Sequence, residues 1–180
     1  MTVGMTDMVN RPAGDGAEDQ PGQRSAIDAF WDSYARTHPD AAARGYCEAF
    51  HFGNTERMAN ELAPLVARGV KTATSTLLWS YEEGERLFQE GDLSIVTTWD
   101  KVSICIVETT ELRIVPFKDV DARFAYDYGE GDRTLEWWRE HLWEYYAEEC
   151  ASLGREPAEE MPLVCERFRV VYPPRSGDGL

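Results

Sequence analysis

Cationic residues are scarce in this sequence of 180 residues. Lys and Arg together number 18 against 33 Asp and Glu, which gives a formal net charge of −15. A protein whose affinity for nucleic acid depends on neutralising many phosphates needs a cationic surface. The charge balance therefore argues against a binder of double-stranded DNA, while a small local basic pocket stays compatible with it.

Cysteine, histidine and long apolar runs are also sparse. The four cysteines lie far apart without a Cys-x-x-Cys pair, and the three histidines lack metal-ligand spacing. We therefore predict reduced thiols, no metal site built by the protein and no required cofactor. No apolar run approaches the roughly 18 to 20 residues of a membrane span, and no secretory segment is visible. We expect a cytoplasmic protein that does not bind membranes.

Apolar residues are plentiful enough for a packed core. Hydrophobic residues make up 43% of the chain and aromatic residues 12%, and the length suits one domain. Residues 1–24 are rich in Gly, Pro and Asp, as are residues 173–180, so both ends are predicted to be flexible tails. The domain is expected to span residues 25–172.

Periodicity predicts two helices at the start of this domain, strands in its middle, two further helices and a final strand. The predicted helices are 25–38, 54–69, 118–125 and 133–153. Pro64 is expected either to kink the second helix or to force a restart near Asn60, and Asp132 is expected to cap the last helix. The predicted strands are 70–76, 93–99, 102–110, 111–117 and 163–172. This pattern indicates an α+β fold with a curled or barrel-like sheet.

The first candidate for chemistry is the segment after the second helix. Lys71 and Thr74 point into one pocket if the backbone bends there, and a lysine in an apolar cleft loses its charge more easily and can activate a hydroxyl. Thr74 would then be a nucleophile. The alternative is an ordinary edge strand, in which threonine is common and lysine discourages edge pairing.

A second candidate lies in the glycine-punctuated loop before the last helix. Asp132 is explained by helix capping, which leaves Glu130 as a candidate general acid or base, or as a reader of a base edge. A solvated loop glutamate is the alternative interpretation. His51, between two phenylalanines, is a candidate for lining an aromatic pocket.

Short motifs occur in a set order between residues 50 and 172. They include Phe52-Gly53, Glu61-Leu62-Ala63, Gly69-Val70-Lys71-Thr72-Ala73-Thr74, Gly129-Glu130-Gly131-Asp132, Trp138-Arg139, His141 and Val164-Cys165-Glu166-Arg167-Phe168. Taken together, they resemble the ASCH domain family in its YhfF-like branch.

The resemblance implies a PUA-like mixed or antiparallel β-barrel with peripheral helices and a cleft beside the lysine segment. It further implies binding of RNA or nucleosides, and it allows two hydrolytic activities. One is an amidohydrolase that deacetylates acetylated cytidine with a lysine, a threonine three residues later and a glutamate. The other is a ribonuclease assisted by a divalent metal. Lys71 and Thr74 match the first two amidohydrolase residues, whereas Tyr128 occupies the glutamate position and Glu130 follows it.

These observations lead to one main hypothesis and two alternatives. The main hypothesis is a protein that binds RNA or a nucleoside in a cleft beside Lys71. In the hydrolytic version of this hypothesis, Thr74 is the nucleophile, Lys71 its activator and Glu130 the proton shuttle. Alternatively, the protein is a binding module without catalysis or a protein-interaction domain. The remaining predicted substrate contacts are His51, Phe52, Thr72, Tyr128, Asp132 and Thr134. The sequence leaves the oligomeric state undetermined.

Overall fold

The computed structural model describes residues 21–81 and 84–173. The helices are α1 (Pro21–Ala35), α2 (Pro39–Arg44), α3 (Glu56–Ala67), α4 (Ala122–Tyr128) and α5 (Leu135–Ser152). The strands are β1 (Glu48–Phe50), β2 (Ala73–Leu77), β3 (Leu93–Thr97), β4 (Ser103–Pro116) and β5 (Pro162–Tyr172). Two short 3₁₀ turns, Leu78–Ser80 and Phe117–Asp119, follow β2 and β4. Within these ranges, no helix has the length and apolar character needed to cross a bilayer.

One mixed sheet of five strands forms a half-barrel in the order β1-β3-β4-β5-β2. β1 pairs with β3 in parallel, and the other pairs are antiparallel. This confirms the predicted α+β class with a curled sheet. The two strands expected over 102–117 are a single strand, β4. A register shift between Thr109 and Glu111 interrupts the pairing of β4 with β5. An inserted residue of this kind bends a strand without ending it, so β4 remains one continuous strand.

Several predicted helix boundaries move in the structure. α1 begins at Pro21, so the predicted tail boundary at residue 24 falls inside a helix, and residues 1–20 and 174–180 lie outside the described ranges. Pro64 lies within α3, which continues to Ala67 with no restart after the missing backbone N–H. The helix predicted over 118–125 is replaced by the second 3₁₀ turn and α4, whose N-cap is Asp121.

The N-caps of α3 and α5 also differ from the prediction. Thr55, and not Asn54, accepts a hydrogen bond from the backbone N–H of Met58. Thr134, and not Asp132, caps α5 by accepting from the N–H of Trp137. In each case the residue next to the helix has the extended backbone that places its hydroxyl over the first turn.

Helices cover the sheet and form the core with it. α4 and α5 pack on β2 and β5 through a large aromatic cluster that contains Trp138 and Tyr146. α3 packs through Leu62 and Val66 against β3, β4 and the Phe168 side chain of β5. α3 and α5 thus flank the N-terminal end of β2.

Candidate functional site

Two distant segments meet where β2 begins. The backbone N–H of Thr72 donates to the carbonyl of Asp127 at 2.8 Å, which ties the entry of β2 to the end of α4. Gly129, with φ +76°, ends α4 and lies against the backbone of Val70 and Lys71. A Cβ atom at this position would overlap the Val70 carbonyl oxygen and Lys71 Cα. Glycine is therefore required both for the turn and for the close approach of the two segments.

Lys71 is fully buried at this junction. Its Nζ lies 2.7 Å from Oε1 of Glu130, 3.1 Å from the carbonyl oxygen of Ala73 and 3.2 Å from that of Tyr128. Nζ also lies 3.6 Å from the centroid of the Tyr128 ring, which adds a cation–π contact. Burial lowers the pKa of Lys71, while the Glu130 carboxylate opposes that shift by favouring the ammonium form.

Hydroxyl groups surround the buried side chain of Tyr128. Burial raises the pKa of Tyr128 well above its ordinary value, the charge of Glu130 adds to this, and hydrogen bonds with Ser75 and Thr74 oppose it. Tyr146 donates from its hydroxyl to Oγ of Ser75 at 2.7 Å. Thr74 itself is 6% exposed. The Thr74 hydroxyl therefore belongs to a buried network of hydroxyl groups next to the Tyr128 side chain.

A cleft of about 410 Å³ opens above this junction, between α3 and α5. Its lining includes two residues of the junction, Tyr128 and Glu130, and the Glu130 side chain is 14% exposed. The walls are mainly apolar and aromatic. They are formed by Met58, Leu62 and Leu65 of α3 and by Trp137, His141, Leu142 and Tyr145 of α5, with Arg57 and Glu61 as charged members.

The structure brings together the three predicted catalytic residues through different contacts. Glu130 pairs with Lys71, and Thr74 contacts Tyr128. Tyr128 faces inward because α4 ends there and Gly129 redirects the chain. Of the two positions Tyr128 and Glu130, it is therefore Glu130 that brings a carboxylate to the cleft. The catalytic roles of these residues remain predictions.

Two predicted substrate contacts lie elsewhere. Phe52 is 2% exposed and packs against Phe168, with its ring 5.1 Å from Nζ of Lys71. The His51 ring lies tilted at 4.9 Å from the ring of Trp99, and its Nδ1 contacts the carbonyl of Gly53 at 3.2 Å. Neither His51 nor Phe52 is among the residues that line the cleft.

Three further predicted contacts are engaged with backbone groups or with each other. The Thr72 hydroxyl donates to the carbonyl of Asp127 at 3.3 Å. Asp132 accepts from the N–H and the hydroxyl of Thr134, at 2.9 Å and 2.7 Å. These contacts stabilise the loop and the start of α5, and a part in substrate binding stays a prediction for all three.

The aromatic wall of the cleft consists of residues that are not among the predicted substrate contacts. Trp137, His141 and Tyr145 recur at every fourth residue and so share one face of α5. The rings of Trp137 and His141 stack at 4.1 Å, and Nδ1 of His141 donates to the carbonyl of Trp137 at 2.9 Å. Gly131 makes room for this arrangement, since a Cβ there would overlap the Trp137 ring.

Among the described residues, no group of three or more His, Cys, Asp or Glu side chains is arranged to hold a metal ion. The titratable side chains that meet directly at this site are Lys71 and Glu130.

Comparison with known proteins identifies the family. The family model of the ASCH domain matches residues 48–172. The chain belongs to the ASCH domain family. The solved ASCH domain from Lactobacillus crispatus JV V101 is 34% identical, with a TM-score of 0.74 over 87% of this chain and 98% of that one. A DUF984 protein from Enterococcus faecalis V583 is 29% identical, with a TM-score of 0.73 over 84% and 97%. No curated protein matches the chain.

These relatives confirm the PUA-like α+β fold that the ASCH resemblance implied. Both solved structures are covered almost completely by this chain, so the likeness extends over most of its length. Assignment to the YhfF-like branch remains a prediction.

Proposed function

We propose that this ASCH domain binds a nucleoside or an unpaired RNA base in the cleft between α3 and α5. The observation that carries the proposal is the Glu130 carboxylate, held by Lys71 at 2.7 Å and presented in a cleft with apolar and aromatic walls. A nucleobase has flat faces that stack on aromatic rings and an edge that forms hydrogen bonds. The cleft volume of about 410 Å³ is in the range of small-molecule sites.

The polar groups of the cleft favour a ligand with N–H donors. A glutamate accepts hydrogen bonds from the amino group of cytosine, and the partly exposed ring of Trp137 supplies a stacking surface. This type of recognition does not depend on many phosphate contacts, so it is compatible with a net charge of −15.

Titration with nucleosides and short single-stranded RNA tests the proposal. We expect saturable quenching of tryptophan fluorescence, and a loss of affinity of about tenfold or more in Glu130→Gln, because an amide presents an N–H as well as an acceptor. Glu140→Gln is the matched control, since Glu140 is exposed on α5 and lies outside the lining of the cleft. Absence of binding at low salt would contradict the proposal and favour a protein-interaction domain.

A second candidate function is hydrolysis of an amide on the bound nucleoside, such as the acetyl group of acetylated cytidine. The observation that favours it is the contact of Glu130 with Lys71 despite Tyr128 at the family glutamate position. All three residue types of the amidohydrolase triad are thus present around one junction.

Release of acetate from acetylated cytidine by the purified protein tests this second function. A parallel incubation with single-stranded RNA, with and without a divalent cation, tests the ribonuclease alternative by the appearance of shortened products. Binding without acetate or shortened RNA over several hours identifies a binding module without catalysis.

A further inference from the structure

Lys71 has its full complement of hydrogen-bond acceptors. An ammonium group has three N–H donors and no lone pair. Nζ has three acceptors within 3.2 Å, namely the carboxylate of Glu130 and the carbonyl oxygens of Ala73 and Tyr128. The number of acceptors therefore matches the ammonium form of the side chain.

A neutral amine does not fit this environment. It would have two N–H bonds for three acceptors, and its lone pair would face an oxygen that also carries lone pairs. The negative charge of Glu130 would then lie in a buried site without a cation. Although burial alone favours the neutral form, the surrounding oxygens hold Lys71 as an ammonium ion, which cannot accept a proton from Thr74.

Thr74 is also poorly placed to attack a ligand in the cleft. Its side chain is 6% exposed, its hydroxyl contacts Tyr128, and it is not among the lining residues. Glu130, in contrast, lines the cleft. Its side chain is 14% exposed and bonds Nζ of Lys71 through Oε1, so the carboxylate can also be reached by a water molecule in the cleft.

We propose that Lys71 is a positioning residue that fixes Glu130, and that Glu130, acting through a water molecule, is the catalytic base of the amide hydrolysis. This inference rests on the second proposed function. Glu130 takes a proton from water while the water oxygen forms a bond to the acetyl carbon. The carbon–nitrogen bond then breaks, and Glu130 returns the proton to the departing nitrogen. One water is consumed, and acetic acid and the free amino group of cytidine are formed, without an acyl-enzyme.

The first test measures the state of Lys71 without using activity. NMR of the full chain labelled with ¹⁵N-lysine, with assignment by Lys71→Met, detects whether Nζ carries three protons. We expect a slowly exchanging ammonium signal from pH 6 to pH 9, since the group is buried and fully bonded. A neutral amine at pH 7 would overturn the inference, whatever the protein hydrolyses.

The second test compares Lys71→Arg with Lys71→Met in the acetate assay. Arginine keeps a cation with several donors but is not deprotonated in proteins, so it can position Glu130 and cannot act as a base. We expect Lys71→Arg to retain kcat/KM within about tenfold of the wild-type value and Lys71→Met to lose at least about 100-fold. Equal, deep losses in two folded variants would overturn the positioning role.

The third test looks for the covalent intermediate that Thr74 would form. Rapid quenching followed by mass spectrometry of the wild-type protein should show no acetyl group on the Thr74 peptide during turnover. Acetylated Thr74 formed at the rate of turnover would overturn the water route.

If the wild-type protein releases no acetate from any acetylated nucleoside, the second proposed function fails, and the NMR result alone decides the state of Lys71. A variant that fails to fold, judged by circular dichroism, leaves the decision to the NMR and quenching measurements.

Discussion

Glu149 is expected to make the stability of this domain fall as the pH rises toward neutrality. It lies on α5 and is 3% exposed, and one carboxylate oxygen accepts from the hydroxyl of Ser80. The other oxygen, Oε2, is buried without a hydrogen-bond partner. Burial raises the pKa of Glu149 to about 7, against the opposing effect of the Ser80 hydrogen bond.

The direction of the effect follows from proton binding in the two states. In the unfolded chain a glutamate has a pKa of about 4.3, so between about pH 4.5 and pH 7 the folded state binds more protons than the unfolded state. The stabilisation by the protonated form is therefore complete below about pH 4.5 and is lost as the pH rises through about 7. With about 1.4 kcal/mol for each pH unit, the loss between pH 5 and pH 8 is about 2 to 3 kcal/mol.

Urea unfolding of the wild-type protein and of Glu149→Gln at pH 5 and pH 8 measures this loss. The difference in the free energy of unfolding between the variant and the wild type should increase by about 2 to 3 kcal/mol in favour of the variant at pH 8. Taking this difference removes the contribution of Glu166, whose burial likewise raises its pKa to about 7. Glu148→Gln, an exposed neighbour on α5, is the control.

A difference that stays constant within about 0.5 kcal/mol between the two pH values would refute the reasoning, because a group that titrates alike in the folded and unfolded states makes no pH-dependent contribution. Burial raises the pKa of the Tyr146 phenol and of the Cys150 thiol above their ordinary values. Both groups therefore stay protonated in the folded protein between pH 5 and pH 8 and do not titrate together with Glu149.

Three other predictions concern the backbone, the cleft and a helix cap. Gly129→Ala should destabilise the domain by about 3 kcal/mol or more in urea unfolding, because its Cβ would overlap Val70 at a positive φ, and wild-type stability would contradict the close approach of the two segments. Trp137→Ala should weaken nucleoside binding by about 1–3 kcal/mol in calorimetric titration, and unchanged affinity would mean that the base does not stack there. Thr55→Ala should lower the free energy of unfolding by about 1 kcal/mol, whereas a larger effect of Asn54→Ala would show that the cap is misassigned.

Local patterns predicted most of the elements and missed those that depend on distant partners. The apolar periodicity of α3 and α5 marked both helices, but the cap of α5 was assigned to Asp132 because the distinction from Thr134 lies in the backbone angles. β1 has three residues and pairs in parallel with β3, so it carries too little pattern to be recognised. The predicted boundary inside β4, between residues 110 and 111, coincides with the register shift in its pairing with β5.

The sequence by itself determined the acidic charge, the class of the fold, the membership of the family and the residue types available for chemistry. It also singled out Lys71 and Glu130 as candidates. Only the tertiary structure decided that these two form a buried pair, that Thr74 lies next to Tyr128, and that one face of α5 becomes the wall of a cleft. The physical reason is that caps and periodicities act over a few residues, whereas this pair depends on the packing of Gly129 against the entry of β2.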